Sequence, residues 1–502
     1  MTAPLDRMAM RTPSLLAALA VVSALIAAPG CAARDGDEAQ AVVAEDALTM
    51  GSKPWDEQAE SEWTEWVSEI GEARLAGRCT RLNDCINSSA INKLKGEADA
   101  NLNVFADCAD VPLEMRAYFA VKTGRPFQYV SDINGSHYTA GNTPADFSDA
   151  RESSSLQRLM TSVSENVHSG HFRMRATVEG TDTYPVDITR ETVKPGTIFY
   201  DPNGHVLLVV RVDADGTIRM MDGHPDNSLT TQIFGEKFAV GSAAQGGGFR
   251  RFRPYTFVGG AFTRAPNASL TSSRFGLSEA QYGKGSGYYG WVRERLSNGV
   301  PLDPIKEMTE LTRQLCTDLE DRANAVKGAS SIANGPLGAV PPNIYGATGE
   351  WESLSTPSRD ARFKASFRGI KHLIEKYGEA GSSNVATMGR IWSEEVGSCK
   401  ISYTNSAGAS VTLSLGQVEA RLFDLSFDPY HCPEMRWGAY PAQRDEMSTC
   451  RTDAAHMRRF DDERTQRNAI DREYGAPTPF GWGPDQPEDV NVTRLIRSRG
   501  GL

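Results

Sequence analysis

Three residue types that together perform nucleophilic chemistry stand far apart in this chain: a cysteine in "FADCADVPLEMRAYFAVK", and a histidine and an aspartate at opposite ends of "GHVLLVVRVDADGTIRMMDGH". The second stretch reads as a hairpin, with Asp215-Gly216 as a two-residue turn. Counting outward from that turn places 209 opposite 222, 207 opposite 224 and 205 opposite 226. Side chains alternate faces along a strand, so His205, Asp222, His224 and Asp226 are predicted on one face. An imidazole beside a carboxylate on a rigid strand pair has its tautomer fixed and can serve as a general base. Cys108 stands at or just before a predicted helix N-terminus. There the helix dipole and a neighbouring imidazolium would both favour thiolate and lower the thiol pKa below its reference of about 8.5.

Cys, then His, then an acid, in that chain order, is the arrangement of papain-like thiol enzymes. "KPGTIFYDPNGHVLLVVRVDADGTIRMMDGH" resembles the second half of a CHAP domain, a branch of the papain-like NlpC-type cell-wall peptidases. The shared points are a Pro-Gly before a strand, a Gly-His opening the next, and an acid late on the return strand. "FADCADVPLEMRAYFAVK" resembles their nucleophile helix. The likeness covers roughly residues 100 to 255. It implies Cys108 as nucleophile, His205 as base, Asp222 as orienting acid and His224 as a polar supporter, with no cofactor and no metal. The acid in such domains is more often Glu or Asn, which leaves the orienting role open to Asp226 or Asn227; the simple hairpin register favours Asp226. An oxyanion hole would combine the Cys108 N–H with a second donor, for which Asn101 and Asn103 are candidates.

The elements that must position these groups follow from periodicity. Trp63, Trp66, Val67 and Ile70 recur at helical spacing. A second helix is expected from Pro112, which suits a first turn, to Gly124, which suits the position after the last. Residues 128 to 184 are rich in Ser, Thr, Asn and Gly and read as long loops with one helical piece at 156 to 163. Strands are expected at 196–200, in the hairpin and at 249–255, giving an α+β, papain-like order of Cys-bearing helix followed by antiparallel sheet. Residues 256–303 read as a linker. From 304 to 502 a mainly helical C-terminal domain is expected, with helices beginning near Pro304 and at 359–377, 384–397 and 451–474.

At 502 residues the chain is long enough for two or three domains. Its net charge of −11, with no long Lys/Arg block, argues against nucleic acid as a partner. Arg7 and Arg11, then "LLAALAVVSALIAA", then "PGC", have signal-peptide proportions. Cys31 resembles the acylated cysteine of a bacterial lipoprotein, which predicts export to the cell envelope and a lipid anchor in the membrane. Residues 32–53 would be a flexible tether, and 54–255 the papain-like domain. An oxidising compartment permits disulfides. Cys79 with Cys85 and Cys432 with Cys450 are natural pairs and Cys316 with Cys399 a third, which leaves Cys108 over.

Other motifs carry less. His168 and His171 in "HSGHFRM" have metal-ligand spacing but no local acid or cysteine partners, and read as loop residues. "HCPEMRWGAY" reads as a disulfide-stapled loop rather than a zinc site. The leading expectation is an exported thiol hydrolase acting on amide bonds, with peptidoglycan peptides as the substrate the resemblance implies. Two alternatives stand beside it: a non-catalytic envelope-binding module, and an acyl transferase in the manner of transglutaminases, which use Cys, His and Asp in the same order.

Overall fold

The computed structural model describes residues 48–345, 349–470 and 487–502. The leader expected over 1–31, Cys31 within it and residues 32–47 of the tether lie outside the described residues. The fold is mixed α and β, and its strands pair antiparallel.

Asp56 caps α1 (Glu57–Leu75) by accepting from Ala59 N at 2.9 Å. The aromatic stripe Trp63, Trp66, Val67, Ile70 is its buried face. The Cys79–Cys85 disulfide ties the chain after α1 to the short α2 (Leu82–Ile86). The next long helix, α3 (Asp110–Thr123), ends on Gly124, whose φ of 73° needs glycine. Residues 128–149, expected as loop, form a hairpin of β1 (Gln128–Asn134) and β2 (Thr143–Asp149). Its polar composition hid it, since only part of one face is buried. The expected helical piece is α4 (Leu156–Asn166).

The central sheet contains β3 (Thr183–Pro185), β4 (Ile198–Asp201), β5 (His205–Val212), β6 (Ile218–Gly223), β7 (Leu229–Ile233) and β8 (Gly248–Phe252), in the spatial order β3-β8-β4-β5-β6-β7. Alternation on β5 divides two cores. Val206, Leu208 and Val210 belong to the core that includes α1, α3 and α4, whereas Leu207 and Val209 belong to a second core with Ile218 and Met220. Full burial of each such side chain contributes about 1.5–3 kcal/mol.

That second core corrects the reading of 256–303 as linker. The stretch holds a hairpin, β9 (Tyr255–Val258) with β10 (Ala261–Arg264), and a helix, α5 (Tyr288–Leu296). Leu270, Tyr288, Val292 and Leu296 are buried against the sheet. Glycine, serine and asparagine between these few anchors masked them.

The C-terminal part is built on α6 (Pro304–Gly328), α7 (Glu350–Leu354), α8 (Pro357–Tyr377) and α9 (Ser383–Ser398), around a third core. Asp303 caps α6 and Pro304 occupies its first turn. A hairpin, β11 (Lys400–Thr404) with β12 (Ser410–Ser414), joins these helices. The Cys316–Cys399 bridge fastens α6 to the end of α9, and Cys432–Cys450 closes a loop. The helix expected over 451–474 is broken into Ala454–Asp462 and Arg464–Asn468, with 471–474 outside the described residues. No helix of the described residues is long and apolar enough to cross a membrane.

Candidate active site

Cys108 is the free thiol among the described residues. Asp107 and Asp110 prepare its place by capping each other. The Asp107 carboxylate accepts from Ala109 N at 2.8 Å, the Asp110 carboxylate accepts from Asp107 N at 3.0 Å, and Val111 N donates to Asp107 O. Cys108 therefore sits in the turn just before α3, where its backbone N–H has no intrahelical acceptor. Its thiol donates to Gly204 O, with Sγ 3.8 Å away, and the Val206 N–H also faces the sulfur. The sulfur thus lies against the backbone on both sides of His205. Gly204 makes that turn possible with φ 83°.

A second glycine sets the spacing. A Cβ on Gly223 would stand 2.7 Å from both Ala106 O and Asp107 O, so only glycine lets the end of β6 reach the loop that carries Cys108.

The β5–β6 hairpin differs from the two-residue-turn register. Its loop runs from Asp213 to Thr217, and a bulge follows between Val209 and Arg211. Val209 consequently pairs with Met220 rather than with 222. The slip there is by two residues, which preserves faces. His205, Asp222 and His224 still converge, but Asp226 no longer stands across from His205. Asp226 instead accepts from Ser228 in the β6–β7 turn. Asn227 bridges that turn to the backbone of Val104 and Ala106. Asn103 is bound through its backbone to Gln157, and Asn101 is exposed at the end of a 3-10 turn.

His205 Nε2 lies 2.6 Å from Asp222 Oδ2. Asp222 is fully buried. Its other oxygen accepts from Thr230 Oγ1 at 2.5 Å. That hydroxyl, having donated its proton, accepts from His224 Nε2 at 3.0 Å and from Gln232 Nε2 at 3.2 Å. Lys237 donates to Gln232 and, at 3.2 Å, to Asp318 on α6. Sequence reading had no signal for Thr230, because β7 is a short, mostly polar strand.

Burial works against the Asp222 charge, but His224, His205 and Thr230 together hold its carboxyl well below the usual range. Burial pushes His205 down, Arg362 adds to this, and Asp222 opposes it. His224 is pushed down to about 4, chiefly by burial; Asp222 opposes this, and Arg359, His205 and Arg362 add to the downward push. Burial pushes the Cys108 thiol well up, and Asp107, Asp222 and Asp110 push it further. The expected resting thiolate is therefore replaced by a protonated sulfur beside a neutral imidazole.

The cleft holding these groups has a volume of ≈170 Å³. Asp107, His137 and His168 line one part of it, and Tyr345, Trp351, Arg359 and Arg362 bring the C-terminal part to it. His137 and His168 stack with ring centroids 3.7 Å apart, and His171 packs edge-on to His168. A larger cavity of ≈710 Å³ lies between the β6–β7 end of the sheet and α5, α6 and α8, and no cysteine lines it. Away from the cleft, Asp428, His431 and Glu463 are buried with ligating atoms within 4.8 Å of one another. Arg459, 2.5 Å from Asp428, already supplies the positive charge there.

Compared with protein-family models, with curated proteins and with solved structures, the chain matches none.

Proposed function

We propose that this chain is an exported thiol hydrolase of papain-like type that cleaves amide bonds, with peptidoglycan peptides as its substrate class. The observation that carries the reading is a free thiol at a helix start, packed against the backbone around an imidazole that a buried carboxylate holds at 2.6 Å. The likeness of residues 100–255 to CHAP domains supports the substrate class, and three disulfides are compatible with an extracellular protein.

With Nε2–H donated to Asp222, His205 keeps a lone pair on Nδ1. As Sγ attacks the amide carbonyl, the thiol proton passes to Nδ1 and the Cys108 N–H faces the developing oxyanion. The C–N bond breaks, and the leaving amine takes the proton from His205. Water, deprotonated by the same imidazole, then attacks the thioester, releasing the acid and restoring the thiol.

The test is the alkylation rate of Cys108 against pH, followed by peptide mapping of the full chain. In the wild type, reactivity should rise as His205 loses its proton, below neutral pH. In His205→Ala that limb should vanish and the pH 7 rate fall by about 10²-fold or more, the scale of general-base catalysis. Identical profiles would overturn the reading. They would favour a binding module with an inert buried thiol, which the raised Cys108 pKa also suits.

A further inference from the structure

The Cys108 cleft is shared between two distant parts of the chain. Cys108 comes from the turn before α3, His205 from β5 and His224 from the end of β6, and the facing wall comes from Ile344, Tyr345 and residues of α7 and the first turns of α8. On α8, Arg359 and Arg362 are three residues apart and so lie on one helix face, and both line the cleft. Arg359 donates to Ser355 O at 3.2 Å and makes no ion pair among the described residues. Of the carboxylates whose charge acts on it, Asp222 is held by His205 and Thr230, Asp226 by Ser228 and Asp360 by Arg322, while Asp321 lines the space beside it without making an ion pair to it. Both guanidinium groups act on the chemistry from that wall, since each depresses the pKa of His224 and Arg362 that of His205. A planar guanidinium matches a carboxylate in geometry and charge.

We propose that Arg359 and Arg362 form a carboxylate-recognising subsite, so that the amide cleaved at Cys108 belongs to a substrate with a free carboxylate close to the scissile bond. This rests on the hydrolase reading for its substrate, although the anion-binding property can be measured without it.

The probe is a pair of thiol reagents of nearly equal size, iodoacetate and iodoacetamide. In both, sulfur displaces iodide and forms an S–C bond, and only the first brings a carboxylate. Rates at Cys108 are measured at pH 8, where His205 carries no charge, in the full chain with its disulfides intact. The ratio of the two rates cancels changes in the sulfur's own reactivity. In the wild type, iodoacetate should saturate and propionate should protect Cys108. In Arg359→Gln/Arg362→Gln the ratio should fall about ten-fold, the scale of one charge-assisted hydrogen bond. The Arg359→Lys/Arg362→Lys chain should keep most of it.

An unchanged ratio in the Gln variant overturns the subsite. So does a wild type in which propionate gives no protection, which holds even where a variant fails to fold. Loss of His205 dependence with iodoacetamide, beside a ratio that still falls in the Gln variant, would remove the hydrolase reading and leave the anion site standing. A Cys108 inert to both reagents would overturn both.

Discussion

Asp222 shows why the third member of the proposed triad has to be argued from its bonds. A carboxylate with no exposure is stable only when its charge is answered, and here His205 and Thr230 occupy its two oxygens while His224 stands 3.6 Å away. Asp222→Asn presents an amide N–H to His205 Nε2, which turns the imidazole to the other tautomer and places a proton where the base's lone pair was. Cys108 alkylation at pH 7 should fall toward the His205→Ala level. Rates equal to wild type would show that Asp222 does not orient the base. His224 predicts a pH effect on folding. Its folded pKa of about 4 lies below the unfolded value near 6.5, so between these the unfolded chain binds a proton that the folded one refuses. Stability should therefore drop as pH falls from about 6.5 to 4, by on the order of 3 kcal/mol from this residue. His168, pushed down to about 3, acts with the same sign. Urea midpoints at pH 7, 5.5 and 4 should fall less in His224→Gln. At this scale Cys108, His205 and Asp222 were legible because their residue types are rare partners in chain order. Thr230 was not, because one hydroxyl in "LTTQI" announces nothing.

The end of β6 meets the loop before α3 through a glycine. Gly223→Ala drives a methyl against two carbonyl oxygens that are part of the backbone, and neither can swing away. We expect a loss of about 1–3 kcal/mol, the usual scale of overpacking, read from denaturant unfolding. Cys108 reactivity should change with it, since the displaced segment is 106–107. Retention of both stability and reactivity would mean that the loop and strand are not held this closely in solution. Helices such as α1, α8 and α9 were legible from apolar spacing because each lays one continuous stripe on a core. The hairpin was legible too, but not its turn, because "DADG" fits a two-residue or a longer loop and no local rule reveals the bulge. His205, Asp222 and His224 share a face because the slip at Val209 was by two, whereas Asp226 falls in the turn beyond β6. The β1–β2 hairpin and β7 escaped notice because polar strands lack the alternation that periodicity reads.

Across the whole molecule the expected division into a papain-like domain, a linker and a helical domain leaves out the contacts that run between these parts. The supposed linker covers one face of the sheet, and α6 is tied to β6 by Arg219–Glu310 at 2.6 Å and to the segment after β7 by Lys237–Asp318 at 3.2 Å. Contacts between residues 100 or more apart leave no periodic trace, so the arginines of the cleft could not be found by pattern. The Cys316–Cys399 bridge closes a separation of 83 residues within this half. Replacing both cysteines by serine should lower unfolding free energy by about 2–4 kcal/mol, measured by denaturant under oxidising conditions, where an unchanged midpoint would count against a stabilising role. The shared cleft has a further consequence. On the proposed hydrolase reading, bond breaking would reside in one stretch of the gene and the wall that meets the substrate in another, more than a hundred codons downstream. Rewriting the first turns of α8 would let a lineage exchange its diet while inheriting the same sulfur, imidazole and carboxylate unaltered.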